Sequence, residues 1–334
     1  MSKGQKARTR RTASAAALLA ATVTASLAAG CTGSPDPTDD SRGEPRTLQS
    51  SPDQSPSPAE SGAHGASPLA VKIDNAAAAR PQTGLNSADI VYAEQVEGGL
   101  SRLMAVYATK LPKAVGPVRS ARESDLELLR QFERPTLAFS GAQGKLLPLI
   151  NKAPLDARPP GKAAGAYYRG TDKPAPHNLY LRPNKLLSSA PGADALTTGF
   201  HYGAAPSGGQ PEKSRTVRYP SARFTFTWSG KQARWLVSMD GTPAVTTDGK
   251  RMAPATVVVQ HVKIRASAFH DFLGNNTPYT ETVGSGKAEV LRGGRAYNVN
   301  WKRASATDGT AFTTAAGKPM NFARGQVWVV FTKA

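Results

Sequence analysis

Cysteine is almost absent from the chain: Cys31 is the only one in 334 residues. No intramolecular disulfide is available, so the fold must rest on an ordinary hydrophobic core, which the length is sufficient to build. Histidine is scarce too. The five, at 64, 177, 201, 261 and 270, are scattered and follow no metal-ligand spacing. There is no nucleophile elbow, no zinc-protease helix and no P-loop. The expectation is a protein that needs no metal and no cofactor. Long apolar runs are missing as well, with one exception at Ala13–Ala29. That run falls short of the roughly 20 residues of a membrane-spanning helix.

The exception has the three-part layout of a secretory signal. Lys3, Lys6, Arg8, Arg10 and Arg11 precede the apolar run, and Leu27-Ala28-Ala29-Gly30-Cys31 closes it. This ending reads as a bacterial lipobox, although the leucine usually three residues before the cysteine is replaced by Ala28. Residues 1–30 are therefore expected to be a lipoprotein signal peptide and Cys31 the lipidated first residue of the mature chain. Diacylglyceryl and N-acyl groups supply the several chains that stable anchoring requires. The expected location is the outer face of the bacterial cytoplasmic membrane. The Arg10-Arg11 pair leaves general secretion and twin-arginine export both open.

Acidic residues are few: 24 against 42 lysines and arginines, for a formal charge of +18. The signal region holds five bases and no acid, and residues 32–68 hold six acids and two bases. Residues 69–334 carry 35 bases and 18 acids, a net +17. Outside the cell, the polyanions that such a field attracts are phospholipid headgroups and wall polymers. Export makes nucleic acid an unsuitable partner. A well-solvated Lys/Arg surface would account for the same charge.

Residues 32–68 contain seven prolines and eight serines and almost no large apolar side chain. Such a segment cannot bury enough surface to offset its ordering entropy, so residues 31–68 read as a disordered tether spanning roughly 30–35 Å as a coil. Beyond it the pattern changes. Leu69–Ile73, Ala88–Val96 and Ser101–Tyr107 read as strands, the last two joined at Gly98-Gly99 as a hairpin. Ser120 and Glu123 form a capping box ahead of Leu126, Leu129 and Phe132 at helical spacing. Gln143–Lys152 has a helical pattern interrupted by Pro148. Residues 203–214 read as a linker. Past it, Phe224–Trp228, Thr256–Val262, Ala288–Leu291, Tyr297–Trp301 and Val327–Thr332 alternate with turn signals, the pattern of an antiparallel sheet. The expected class is α+β: a mixed α/β N-terminal domain over 69–202, then a mainly antiparallel β domain over 215–334.

Candidate site residues concentrate in the first domain. Asp74 ends the first strand, Glu97 lies at the hairpin tip, Arg102 opens the next strand, Arg119 ends another and Arg122 falls in the first turn of a helix. Guanidinium groups match phosphate or carboxylate with two parallel hydrogen bonds, and a helix start adds free N–H groups. His177 adds a donor, or an acid/base near neutral pH. The same residues have structural alternatives: Arg119 can pair with Glu94, Glu97 or Asp125, and His177-Asn178 can cap a turn. Gly284–Gly286 reads as a tight turn and the four tryptophans as core.

Asp74-Asn75, Arg80–Gly84, Ala88–Tyr92, Val96–Gly99, Gly116–Arg122, Pro176–Tyr180, Val257–Gln260, Gly284–Gly286 and Trp301-Lys302 together resemble the YerB-like bacterial lipoproteins. The resemblance covers residues 69–334. It implies an N-terminal and a C-terminal domain and an extracytoplasmic anchor, and it implies no reaction. Ala93 stands where that family often has a glutamate directly after the tyrosine, so an acidic role transfers more securely to Glu97 than to Glu94. A shorter likeness, a strand followed by an arginine-rich turn, is similar to envelope enzymes that transfer polymers from polyprenyl pyrophosphate. The expected function is binding of an anionic cell-envelope ligand, a wall polymer or phosphorylated glycan. Transferase or hydrolase activity on such polymers, with Asp74 or Glu97 as base, is the alternative. A scaffold docking a membrane protein partner is a third.

Overall fold

The computed structural model describes residues 67–271 and 273–334, which belong to one compact unit. The signal peptide, Cys31 and the tether as far as residue 66 lie outside the described residues. In chain order the first elements are β1 (Leu69–Asp74), β2 (Ile90–Gln95), β3 (Ser101–Tyr107), α1 (Glu123–Leu129), β4 (Thr136–Ala138) and α2 (Leu147–Lys152). Short strands β5 (Asp156–Ala157), β6 (Tyr167–Arg169), β7 (Leu179–Leu181), β8 (His201–Tyr202) and β9 (Gln210–Pro211) follow. Next come β10 (Ser214–Tyr219), β11 (Ala222–Ser229), β12 (Arg234–Met239), β13 (Thr242–Pro243), β14 (Thr256–Val262), β15 (Ile264–His270) and β16 (Asn276–Thr280). The chain closes with β17 (Gly284–Arg292), β18 (Arg295–Arg303), β19 (Ala311–Thr314), β20 (Asn321–Phe322) and β21 (Val327–Lys333).

The centre is an eleven-stranded mixed sheet in the order β19-β18-β17-β14-β21-β2-β3-β1-β4-β5, with β9 beside β18. Strands from both sides of residues 203–214 meet in it, because β21 lies between β14 and β2 and runs parallel to both. The fold is more β-rich than an α+β label conveys: among the described residues the only α-helices have seven and six residues. The sheet formed by the second half is also not purely antiparallel, because β21 enters it as a parallel strand.

Alternation along the strands assigns side chains to two cores. On one face Val71, Val91, Trp328 and Val330 pack with Phe224, Phe226, Trp235 and Val237 from the four-stranded sheet β10–β13. On the other face Ala70, Tyr92, Met104 and Phe331 pack under α1 and α2 through Leu128, Leu129 and Ile150. Among the described residues the two cores are built from side chains between Leu69 and Phe331. Trp235, Trp301 and Trp328 are buried, as expected of core tryptophans.

The expected hairpin is present, with β2 and β3 antiparallel around Gly98 and Gly99, both at positive φ. A side chain at Gly99 would put its Cβ 2.5 Å from that of Pro220, so only glycine fits there. Other local expectations shift. Helix α1 begins at Glu123 rather than at Ser120, and Asp125 accepts from the backbone N–H of Arg122 at 2.7 Å. Helix α2 starts at Leu147, four residues late, which leaves Pro148 in the first turn where its missing N–H costs nothing. Residues 115–119 are not a strand. They cross the sheet end through single bridges, Val115 to Leu181 and Val118 to Ile73. Gly284–Gly286 is not a turn but the start of β17, paired with β18.

Candidate functional site

Strands β1, β2 and β4 point the same way, and their carboxyl ends open onto a crevice, the usual place for a ligand in a sheet of this kind. A cavity of about 740 Å³ occupies it. Asp74, Glu97, Arg102, Arg119, Arg122 and His177, the six candidate residues, all line this one cavity. Its far wall comes from the β15–β16 hairpin, through Phe269, Asp271 and Thr277.

Register explains the grouping. Arg102 on β3 stands directly between Asp74 on β1 and Glu94 on β2, so the three side chains share one face. The carboxylates, however, are taken by other partners. Asp74 Oδ2 lies 2.8 Å from His177 Nδ1 and 3.1 Å from Arg119 Nε. The Arg119 contact is an ion pair without hydrogen-bond direction, and Arg119 Nε is a buried donor with no acceptor among the described residues. Glu94 turns inward to Lys72, which also bonds Asp125 at 2.6 Å, and Ser124 Oγ donates to Glu94 at 3.0 Å. Lys72 is fully buried, and burial pushes its ammonium pKa down against the upward pull of Asp125. This charged cluster lies under the cavity floor.

Arg122 and Glu97 form a two-bond pair, with Nε to Oε1 at 2.6 Å and a terminal nitrogen to Oε2 at 2.8 Å. Thr277 donates to the same carboxylate from across the cavity. Burial pushes the Glu97 carboxyl up, but the Arg122 and Thr277 hydrogen bonds and the Arg122 charge outweigh it and hold the carboxyl below its ordinary range.

Arg102 is different. Its terminal nitrogen donates to Ser120 O at 3.3 Å, and it forms no ion pair among the described residues. Burial first, and then the neighbouring Arg122 charge, push its guanidinium down to about 10. The charges of Asp74 and Glu97 oppose that shift without forming an ion pair with Arg102, so a partly buried cation is left with room for a direct anionic partner. Arg102, Arg119 and Arg122 face four carboxylates across the lining, Asp74, Glu97, Glu123 and Asp271, of which Asp74 and Glu97 are engaged by Arg119, His177 and Arg122. Glu123 Oε2 and Gln143 Oε1 are buried acceptors with no donor among the described residues, and both residues line the cavity. The start of α1 offers no anion site, since the helix is short and its first turn carries Glu123 and Asp125.

A second groove of about 560 Å³ contains Arg215, Arg218, His261 and Lys287. There Arg215 is neutralised by Glu212 at 2.7 Å and Glu289 at 2.8 Å, while Arg218 and Lys287 are exposed to solvent and so carry no comparable desolvation cost. Among the described residues no cluster of three or more His, Cys, Asp or Glu side chains is placed to hold a metal ion. No helix among them is long and apolar enough to cross a membrane.

Residues 55–196 match the profile of the N-terminal domain of a protein family of unknown function, DUF3048, and residues 215–329 match its C-terminal domain. The chain belongs to the DUF3048 family. A relative, YerB of Bacillus subtilis (strain 168), itself a predicted lipoprotein, is 25% identical over 280 residues, 78% of this chain and 80% of its own. The crystal structure of YerB protein from Bacillus subtilis superposes with a TM-score of 0.67, covering 81% of this chain and 92% of that one at 21% identity, which establishes a shared fold. In this DUF3048 chain, Glu123, Gln143 and the hairpin residues Phe269, Asp271 and Thr277 are cavity residues that sequence reasoning missed. Glu123 was legible only as part of a cap. The hairpin residues lie more than 140 positions beyond Arg122 and carry no motif of their own.

Proposed function

We propose that the protein is a lipid-anchored extracytoplasmic binding module that holds an anionic group of a cell-envelope ligand, a wall polymer or phosphorylated glycan, in the Arg102 cavity. The observation that carries the reading is Arg102 itself, a partly buried cation that feels the charges of Asp74 and Glu97 but has a single carbonyl hydrogen bond and no ion-pair partner among the described residues. A phosphate or carboxylate placed against it supplies the direct charge-assisted hydrogen bonds it lacks. The donor-seeking atoms Glu123 Oε2 and Gln143 Oε1 suit a ligand that also carries hydroxyl groups. The net +17 of residues 69–334 favours encounter with polyanions at long range.

The test uses residues 59–334, titrated calorimetrically with inorganic phosphate and cosedimented with isolated cell walls at low and high salt. Wild type binds both, more weakly at high salt. Arg102→Met binds neither, yet melts close to wild type because Arg102 gives up only one long hydrogen bond and no ion pair among the described residues. Equal binding by Arg102→Met, or a large loss of its stability, would return Arg102 to a structural role.

One observation favours a second reading, an enzyme that transfers or hydrolyses phosphorylated envelope polymers. His177 Nδ1 sits 2.8 Å from Asp74 Oδ2, an arrangement in which the carboxylate orients the imidazole for proton transfer. Turnover that His177→Gln abolishes without loss of phosphate binding would establish it.

A further inference from the structure

Few large apolar side chains are left in water, and one of them, Leu100, lines the Arg102 cavity. Among the described residues they are Leu100, Leu147, Leu149, Tyr202 and Leu273. Four of these five belong to segments that wall the Arg102 cavity. Leu100 lines it directly and is 45% exposed. Leu147 and Leu149 follow the lining residue Leu146 on α2. Leu273, 70% exposed, is two residues beyond Asp271 on the hairpin. Inside, Val96, Leu146 and Phe269 add further apolar lining to the polar floor. An exposed leucine alone needs no explanation, but Leu100 continues the apolar lining of Val96, Leu146 and Phe269 beside a charged floor, and that combination marks a binding surface.

We propose that the cavity takes an amphiphile, a lipid phosphate whose anionic head lies at Arg102 and whose hydrocarbon runs over Phe269 and Leu100 to the apolar mouth. This rests on the anion-binding reading above and adds the chemical class of the ligand. A free phosphorylated sugar would meet the arginine and leave Leu100 and the apolar lining uncovered, whereas a lipid-borne phosphate covers both. The sequence-level lipid anchor has a consistent consequence, since it keeps the cavity near the surface in which such a ligand resides.

The test compares inorganic, ethyl, butyl and octyl phosphate, with octyl glucoside as an uncharged chain of equal length, by calorimetry on residues 59–334. Each methylene that becomes buried is expected to tighten binding about fourfold. Octyl phosphate should therefore bind far more tightly than inorganic phosphate, and octyl glucoside should not follow it. Arg102→Met should abolish binding of the whole phosphate series, and Leu100→Ser combined with Leu273→Ser should flatten the chain-length dependence. If inorganic and octyl phosphate bind equally and both need Arg102, the amphiphile proposal fails and the anion site stands. Equal binding of octyl glucoside and octyl phosphate, or no binding by any probe, overturns both. Sedimentation of the free protein supplies the remaining outcome: a dimer that Leu273→Ser dissociates, with no chain-length dependence, would assign the leucines to a second copy of this chain.

Discussion

Burial and charge pull the Glu97 carboxyl in opposite directions, and the Arg122 and Thr277 hydrogen bonds decide the balance. Its folded-state value lies below the ordinary 4.5, so the unfolded chain binds the proton first as pH falls. The pair therefore stabilises the native state fully above about 4.5, and that contribution is lost as the pH drops through the folded value. Glu97→Gln leaves Arg122 largely buried without its counter-charge, at a cost of about 3 kcal/mol at neutral pH. Urea unfolding followed from pH 7 to pH 3 should show the variant weaker at pH 7 and converging on wild type in acid. A constant gap across that range would mean that shape rather than charge matters at this position. Much of this chemistry was legible residue by residue, since all six candidates line one cavity. Their pairing was not. Arg119 faces Asp74 rather than Glu94, Glu97 or Asp125 because the register of β1, β2 and β3 sends Glu94 inward to Lys72.

At the scale of elements, the β15–β16 hairpin that closes the cavity is tied to α1 by a single carboxylate. Glu127 accepts from Thr282 N at 2.7 Å, Thr282 Oγ1 at 3.0 Å and Val283 N at 3.1 Å with one oxygen, and from the Tyr279 hydroxyl at 2.9 Å with the other. Arg303, buried in β18, donates to Thr282 Oγ1 at 2.7 Å and to the Glu127 carbonyl at 2.9 Å, reinforcing the same junction. Glu127→Ala strands several partly buried donors at once, and a loss of about 2–3 kcal/mol is expected. Hydrogen exchange should accelerate over residues 276–283, while β1–β3 keep their protection. Uniform acceleration through the sheet would show instead that the hairpin is not a separable wall. The alternation that revealed the strands failed where glycine broke it. Gly284–Gly286 has the composition of a turn, but at Gly286 the missing side chain makes room for Trp301, whose Nε1 would otherwise lie 2.8 Å from a Cβ.

For the whole molecule, the decisive element is the final strand. β21 supplies the parallel partner of both β14 and β2, and Val327, Trp328, Val329, Val330 and Phe331 are all buried, alternating between the two cores. A strand covered on both faces reads as a continuous apolar run rather than an alternating one, and Val-Trp-Val-Val-Phe has that form. The sequence therefore carried a sign that this strand lies inside a sheet, though not which strands flank it, because parallel neighbours arrive from distant parts of the chain. Removing residues 327–334 would strip β2 and β14 of their shared neighbour and open both cores together. The expected product is a compact state that retains strand signal in far-ultraviolet circular dichroism but binds a hydrophobic dye and melts without a cooperative transition. A truncated chain that still unfolds in one sharp step would show that residues 69–202 or 215–326 hold together unaided. In that case β21 would be a connector rather than the centre of the fold.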